Sequence, residues 1–257
     1  MDKLMLLKQF YSSVRQDMLK LECKDYGFDT LRLFQSECTV EYVELKGSIH
    51  KYKLKDILPV RFDYFLKHHI LQNGNVCGYF NSEANSVFAF NFDTSKKNKD
   101  NTPTDTIKAS AYITAEYLRA LNIEPLVILS GRGYHIWVRL AEPVYNKEIG
   151  FFIKNMKDRI NDGLKINDLN FNDICISAYP QLHEKQTHSL RLFGSEHVKN
   201  KVFSHICTDG GTLNELDSWL YFEEFIKSKT TPIDVFKKAC LLNYAAWEEF
   251  CEKEAAG

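Results

Sequence analysis

The sequence predicts a single compact α+β domain in which mixed or antiparallel sheets are flanked by helices, with a helical appendage at the C-terminus. Three observations favour this fold class. The chain has 257 residues, of which 44% are hydrophobic, so it can bury a sizeable core. Segments in which apolar residues recur with strand-like spacing alternate with segments of helix-like spacing, without an internal repeat or a clear linker. From residue 213 onward the periods are helical only.

The N-terminal part of the chain predicts a helix, a strand and a basic run. Residues 1–22 form the predicted helix, because apolar residues recur on one face at positions 4, 7, 10, 11 and 14. Cys38–Leu45 alternates between apolar and polar residues, which is typical of a half-buried strand. The basic run at Lys51–Lys55 continues into an apolar and basic mixture up to residue 72. A solvated face is the ordinary interpretation of this run, and a surface along a template strand or primer is the alternative.

Two short apolar runs, Val76–Phe80 and Ser86–Asp93, predict adjacent strands of a hairpin. Asn91 and Asp93 are two residues apart and therefore share one face of the second strand. The phenylalanines that flank Asn91 point the other way, into the core. A carboxylate at a strand end is a common position for a metal ligand, although many strands simply end in aspartate.

The stretch Leu126–Leu140 predicts two strands joined by the turn Ser130–Gly133. A helix that begins at Thr102–Asp105 and ends near Asn122 precedes it. Two glycines in the turn allow backbone N–H groups to approach a phosphate closely, and Arg132 adds a planar charged fork. An ordinary hairpin turn that happens to carry an arginine is the alternative.

The second half of the chain predicts helices and two further short strands. A helix spans Asn146–Ile166, with a buried stripe that begins at Ile149. Asp173 enters a short strand, and His188–Gly194 predicts another, which leads into a donor-rich segment at 195–199. Helices follow over Leu213–Lys229 and from Ile233 to about residue 253, and their aromatic residues are expected to fill a core.

Charge, cysteines and missing motifs exclude several classes of protein. The formal net charge is −1, so affinity for a nucleic acid has to come from a local patch. The seven cysteines include no CxxC pair, which predicts no structural zinc. An odd number of scattered cysteines without a signal peptide predicts a cytoplasmic protein. The N-terminal segment is too polar for a membrane span, and no phosphate-binding GxxxxGK[ST] loop is present.

Three segments together predict one pocket with two kinds of ligand. The acid-bearing strand end and Asp173 would hold divalent cations such as Mg²⁺ or Mn²⁺. Basic and imidazole groups would hold a polyphosphate beside them. The phosphate-binding candidates are Arg132, His135, Arg191, His197 and Lys199.

These segments resemble the motifs of the archaeo-eukaryotic primase superfamily, in the same order along the chain. FAFNFD stands where the family has an acidic DxD strand end, and LSGRGYHIWV resembles its SGRxGxH-type hairpin. DICIS followed by SLRLFGSEHVK resembles its third motif. The resemblance covers about residues 1–207 and implies a primase-type catalytic core with an RRM-like unit. Residues 208–257 would then form a helical segment packed on that core.

The resemblance implies template-dependent nucleotidyl transfer by a DNA primase or primase-polymerase, through a site with two Mg²⁺ or Mn²⁺ ions. Asp93 and Asp173 would coordinate these ions, with Asn91 in place of the family's first aspartate. The implied partners are deoxynucleoside or ribonucleoside triphosphates, a single-stranded DNA template and a primer, together with other replication, repair or mobile-element proteins or domains. The residues implied in binding the triphosphate are Ser130, Gly131, Arg132, Gly133, His135, His188, Arg191, Ser195, His197 and Lys199.

Two departures from the family pattern matter for function. Leu192-Phe193 stands where a proline is usual, which is a packing change. Asn91 removes one of three negative charges that would compensate the cations. Three explanations are open: a deliberately inactivated variant, a natural non-catalytic homologue, or an active enzyme in which asparagine suffices. Two alternative functions are open as well: a non-catalytic module that binds nucleotide or nucleic acid, and a metal-dependent phosphohydrolase or nuclease. Whether the chain is a fragment of a longer protein is also open.

Overall fold

Two six-stranded sheets and six helices make up the part of the chain that the structure describes. The structure is a computed structural model. Within residues 15–65 the description covers the backbone alone. The described residues are 1–22, 30–34, 39–45, 48–53, 62–72, 75–94, 103–166, 174–181, 189–197 and 200–241.

The helices and strands are numbered in chain order. The helices are α1 (Lys3–Phe10), α2 (Phe62–Ile70), α3 (Asp105–Ala120), α4 (Asn146–Ile166), α5 (Glu215–Ser228) and α6 (Ile233–Leu241). The strands are β1 (Val14–Glu22), β2 (Thr30–Phe34), β3 (Thr39–Leu45), β4 (Ser48–Lys53), β5 (Asn75–Phe80), β6 (Ala84–Thr94), β7 (Leu126–Leu129), β8 (Tyr134–Tyr145), β9 (Ile174–Tyr179), β10 (Leu190–Arg191), β11 (His205–Thr208) and β12 (Gly211–Thr212).

Every strand pairing in the two sheets is antiparallel. The first sheet has the order β10-β5-β1-β2-β3-β4, and the second has the order β12-β11-β7-β8-β6-β9. The predicted α+β class with antiparallel sheets and flanking helices is therefore confirmed. Among the described helices, none combines the length and the apolar character that crossing a membrane requires.

The first hydrophobic core joins the two sheets. Phe80 of the first sheet stacks on Trp137 of the second, with ring centroids 5.8 Å apart. Tyr11 contacts the same tryptophan edge-on at 5.0 Å, and Phe10 on α1 packs against Phe222 on α5 at 5.0 Å. Such ring pairs each contribute about 0.5–1.5 kcal/mol beyond the burial of their area. The sheets are thus held together by an aromatic cluster, as the sequence predicts for the α5 aromatics.

The second core lies on the other face of the second sheet, beneath α3, α4 and α6. Phe88 on β6 contacts Phe152 on α4 and Phe236 on α6, with centroids 5.6 and 5.8 Å apart. Thr104 caps α3 by accepting a hydrogen bond from the Ile107 N–H at 3.3 Å. The predicted helix over 146–166 coincides with α4, and its predicted stripe is buried.

Strand β6 separates the two cores. Val87 and Ala89 belong to the first core, whereas Phe88, Phe90 and Phe92 belong to the second. The alternation follows from the period of two along a strand. Both faces of β6 are therefore buried over most of its length, and the half-exposed residues are Ala84 at its start and Asn91, Asp93 and Thr94 at its C-terminal end.

The predicted N-terminal helix is wrong beyond Phe10. The chain turns there, with the Val14 N–H bonded to the Tyr11 carbonyl at 3.0 Å, and continues as β1. Leu19 then pairs with Gly78 of β5. The helical spacing of apolar residues persists past the turn by coincidence, and pairing of β1 with β2 and β5 decides the structure.

The predicted hairpin between β5 and β6 is also wrong, because the two strands lie in different sheets. Hydrogen bonds of asparagine side chains fix the connection that leads from β5 in one sheet to β6 in the other. Asn85 accepts a hydrogen bond from the Asn81 N–H at 3.0 Å and donates to the Asn146 carboxamide oxygen at 2.7 Å. A short polar connection that looks like a hairpin loop in sequence here carries the chain from one core to the other.

The remaining differences concern lengths. The strand predicted over 188–194 is limited to β10, and the last predicted helix is described as far as Leu241. The division into a core of residues 1–207 and a helical segment of 208–257 stays a prediction. In the described part of that segment, α5 packs into the first core and α6 into the second.

Candidate nucleotide-binding site

The candidate site begins at the half-exposed end of β6. Asn91 lies between His135 of β8 and Ser177 of β9, and Asp93 pairs with Cys175 of β9. Directly paired residues share one face of a sheet, so carboxamide, imidazole and hydroxyl groups form a row beside the carboxylate. Ala89 on the same face already belongs to the first core. The predicted placement of Asn91 and Asp93 on one face is thus what the structure has, where the first core ends.

The turn Ser130–Gly133 packs directly against this strand end. It is closed by a hydrogen bond from the Ser130 N–H to the Gly133 carbonyl at 2.8 Å. Gly131 has a φ of +97°, which favours glycine. A Cβ on Gly133 would overlap the Phe92 carbonyl oxygen. The second glycine is therefore required for close approach of the turn to β6.

Arg132, at the tip of the turn, forms an ion pair with Asp93. Its Nη2 donates to Oδ2 of the carboxylate at 2.7 Å. The other carboxylate oxygen accepts the Thr94 N–H at 2.8 Å. The two side chains are 35% and 24% exposed, so solvent reaches the pair from one side. The sequence predicted a phosphate ligand and a metal ligand at these positions, and the structure brings them into direct contact.

Arg191 fixes the base of the turn from the other sheet. Its buried guanidinium donates to the Ser130 carbonyl at 2.6 Å and to the Ser195 carbonyl at 2.7 Å. Arg191 itself lies in β10, paired with Cys77 of β5. One buried cation thus links the turn, the segment after β10 and the first sheet. Because its fork is planar and rigid, it sets the spacing of the two carbonyls.

His135 and His197 lie beside the turn. Burial, together with the nearby positive charges of Arg191 and His197, lowers the pKa of His135 to about 3. His135 is therefore neutral at physiological pH. His197 is half-buried. A Cβ added to Gly131 would lie 2.9 Å from the His197 Cβ, so this histidine packs against the turn. Both histidines are thus within the candidate site.

Ser195 faces inward. Its hydroxyl donates to the Asn75 carboxamide oxygen at 2.7 Å, and its N–H donates to the Ser204 hydroxyl at 3.2 Å. The residue is wholly buried. Its position supports the segment after β10, and its predicted contact with a nucleotide stays a prediction.

A buried layer that the sequence does not predict lies behind the site. The His69 Nδ1 accepts the Val76 N–H at 2.9 Å, so its Nε2 carries the proton toward the Phe193 carbonyl at 2.7 Å. Burial lowers the pKa of His69 to about 3. Gln72 accepts the Glu196 N–H at 2.6 Å. The expected solvated face at residues 60–72 is therefore wrong for His69, which residue type alone does not distinguish from the half-buried His68.

Three predicted site residues, Asp173, His188 and Lys199, lie outside the described residues. In the part of the chain that is described, no group of three histidine, cysteine, aspartate or glutamate side chains converges. The Asp93 carboxylate and the Asn91 carboxamide offer hard oxygen donors on one strand face, which is the ligand chemistry that divalent cations such as Mg²⁺ prefer. A second ion would require a further carboxylate, and Asp173 is the candidate that the sequence offers.

This arrangement suits the binding of a polyphosphate next to a cation. Backbone N–H groups of a glycine-containing turn, a half-exposed arginine and a half-buried histidine provide donors on one side. Oxygen ligands lie directly beside them. The chemistry that such a pair of subsites supports is transfer or hydrolysis at a phosphate.

Comparisons with known proteins give likeness to solved structures alone. No family model matches this chain, and no curated protein matches it. Among solved structures, the chain is similar to the polymerase domain of ligase D from Mycobacterium tuberculosis in complex with DNA. The two sequences are 11% identical, and the match covers 93% of this chain and 86% of the other, with a TM-score of 0.45. At this score the likeness carries no inference about individual residues.

Proposed function

We propose that this chain binds a nucleoside triphosphate at the Ser130–Gly133 turn and acts as a template-dependent nucleotidyltransferase of the primase type. The observation that carries the proposal is the direct contact between a glycine-containing, arginine-bearing turn and a strand end with oxygen ligands. The order of the three sequence motifs supports it as well. A phosphohydrolase would share the acidic strand end but would have less use for the many phosphate donors.

The proposed roles divide between contact and support. Arg132, His197 and the N–H groups of the turn bind the phosphates, with neutral His135 as a hydrogen-bond partner beside them. Arg191 and Ser195 hold the backbone of the cradle, since their polar atoms are already bonded to buried groups. His188 and Lys199 are proposed as further phosphate ligands from the sequence motif.

The proposed reaction is in-line attack of a primer 3′-hydroxyl on the α-phosphate. A new bond forms between the 3′-oxygen and the α-phosphorus, the hydroxyl proton passes to solvent, the bond from the α-phosphorus to the bridging oxygen breaks, and pyrophosphate leaves. Asp93, Asn91 and Asp173 are the residues that would hold Mg²⁺ or Mn²⁺. When bound, such ions increase the nucleophilicity of the hydroxyl and stabilise the leaving group. The turn orients the triphosphate for that displacement.

Asn91 is expected to lower the rate. A carboxamide oxygen ligates a cation without compensating its charge. The loss corresponds to several kcal/mol of transition-state stabilisation, on the scale of a catalytic metal contact. A second candidate function, a non-catalytic nucleotide-binding module, is favoured by this neutral residue together with the engagement of Asp93 by Arg132.

Primer extension on a single-stranded DNA template tests the proposal. The wild-type chain, Asn91→Asp and Asp93→Asn are compared with Mg²⁺ or Mn²⁺ and with deoxynucleoside and ribonucleoside triphosphates. Asn91→Asp is expected to increase extension at least a hundredfold, since each decade in rate corresponds to about 1.4 kcal/mol and the expected loss is several kcal/mol. Asp93→Asn is expected to abolish it. Asn122→Asp, the same change at an exposed turn, is the matched control and leaves extension unaltered.

Nucleotide binding is measured separately by calorimetry. Binding of a nucleoside triphosphate without extension by any variant would support the module in place of the enzyme. Absence of binding by the wild-type chain and by Asn91→Asp contradicts both. Cleavage of DNA in the absence of nucleotide would instead favour a nuclease.

A further inference from the structure

Arg132 occupies the carboxylate that a cation would need. Its Nη2 lies 2.7 Å from Asp93 Oδ2, while the Thr94 N–H holds Oδ1 at 2.8 Å. In the proposed function the arginine serves a phosphate and the aspartate serves a cation.

The backbone beneath Arg132 has little room to move. Gly133 is packed against the Phe92 carbonyl, and the Ser130 carbonyl accepts a hydrogen bond from buried Arg191 at 2.6 Å. The Arg132 side chain is 35% exposed and extends from this fixed turn. A change at the site therefore involves rotation of the guanidinium group and not displacement of the turn.

We propose that the Arg132 guanidinium stands in for the divalent cation on Asp93 and that a bound polyphosphate draws it away. This inference rests on the proposed function, because it assigns an order of binding to the same site. A triphosphate carries several negative charges and offers the planar fork more acceptors than one carboxylate does. Its arrival frees Oδ2, so that cation and nucleotide bind with positive coupling.

The reason is electrostatic. A guanidinium 2.7 Å from a carboxylate oxygen repels a divalent cation that approaches the same oxygen. A partly exposed ion pair also costs little free energy to break, so a polyanion can compete for the arginine. If the arginine instead contacted carboxylate and phosphate together, it would help to retain the cation and its removal would weaken binding.

A titration of the protein with Mn²⁺ in the absence of nucleotide distinguishes these cases. Electron paramagnetic resonance measures the concentration of the free ion during the titration. Arg132→Gln is expected to bind Mn²⁺ about fivefold more tightly than the wild-type chain, since release of one exposed pair is worth on the order of 1 kcal/mol. Asp93→Asn in the same background is expected to remove the gain. Unchanged or weaker Mn²⁺ binding by Arg132→Gln overturns the inference.

Two further variants make the result specific. Lys227→Gln frees Glu223 from a surface ion pair of 2.9 Å and is expected to bind Mn²⁺ no better than the wild-type chain. Arg132→Lys keeps the positive charge, so its Mn²⁺ affinity is expected to stay near the wild-type value. A gain in Arg132→Lys equal to that in Arg132→Gln contradicts the charge argument, even if one of the variants is less stable.

The Mn²⁺ titration does not depend on nucleotidyl transfer, so the two proposals fail in different ways. Tighter Mn²⁺ binding by Arg132→Gln with no primer extension by any variant supports the inference and refutes the enzyme. Primer extension together with unchanged Mn²⁺ binding supports the enzyme and refutes the inference.

Discussion

Gly133 allows a sharp test of how the turn is packed. Its replacement by alanine adds one methyl group at the point where the turn contacts β6. That methyl would overlap the Phe92 carbonyl oxygen and lie 2.9 Å from the Phe92 carbonyl carbon and 3.1 Å from the Asp93 Cα. All three atoms belong to backbone, so no side-chain rotation relieves the overlap.

The size of the effect follows from that geometry. To relieve the overlap, the turn and β6 would have to separate by more than one ångström. That separation would strain the hydrogen bond from Arg191 to Ser130 and lengthen the ion pair between Arg132 and Asp93. Overpacking of this kind typically costs about 1–3 kcal/mol. For a chain of this size, that corresponds to a fall in melting temperature of roughly 2–12 °C.

Thermal unfolding followed by circular dichroism measures this fall, and calorimetry measures nucleoside triphosphate binding in the same variant. Gly210→Ala is the matched control, because a Cβ there meets only the Thr208 hydroxyl at 3.7 Å. We expect Gly133→Ala to melt lower than Gly210→Ala and to bind nucleotide more weakly. Equal melting temperatures for the two variants would refute the close packing of turn and strand.

Two other predictions concern buried polar groups. His69 and His135 each have a pKa of about 3 in the folded state, against an ordinary value of 6.5. The unfolded chain therefore takes up protons first, and the free energy of unfolding falls as the pH drops from about 6.5 toward 3. Urea unfolding is expected to show a loss of up to roughly 1.4 kcal/mol per pH unit for each histidine in that range, and a flat profile contradicts their buried neutral state. The Tyr11 hydroxyl accepts the buried Phe193 N–H at 3.0 Å, so Tyr11→Phe is expected to cost about 1–3 kcal/mol in urea unfolding. Tyr145→Phe, at a residue that is 67% exposed, should cost almost nothing, and equal losses would argue against the hydrogen bond.

Local signals predicted much of the fold. The cap at Thr104, the α4 stripe and the strands on either side of Ser130–Gly133 depend on neighbours within a few residues, which is the range that sequence periods report. The pairing of β1 with β5 depends on residues about sixty positions apart. The same limit explains the false hairpin, since a polar link between apolar strands gives no indication that Asn85 bonds to Asn146 across the crossing.

The site was predictable in composition but not in its contacts. The motifs identified the turn and the strand end because glycine and carboxylate chemistry are visible in sequence. The ion pair between Arg132 and Asp93 was not visible, because each residue was assigned a ligand of its own. The hydrogen bonds from Arg191 to two backbone carbonyls were not visible either, because a buried and an exposed arginine look alike in a sequence.

The two buried faces of β6 have a consequence for how this site can evolve. Along most of the strand, any change of side-chain size disturbs one core or the other, so those positions are constrained by packing. Asn91 lies at the half-exposed end, beyond that constraint. Exchange between asparagine and aspartate there alters charge with almost no change in volume. In the proposed enzyme, catalytic competence can therefore be gained or lost at this one position while the protein keeps its fold.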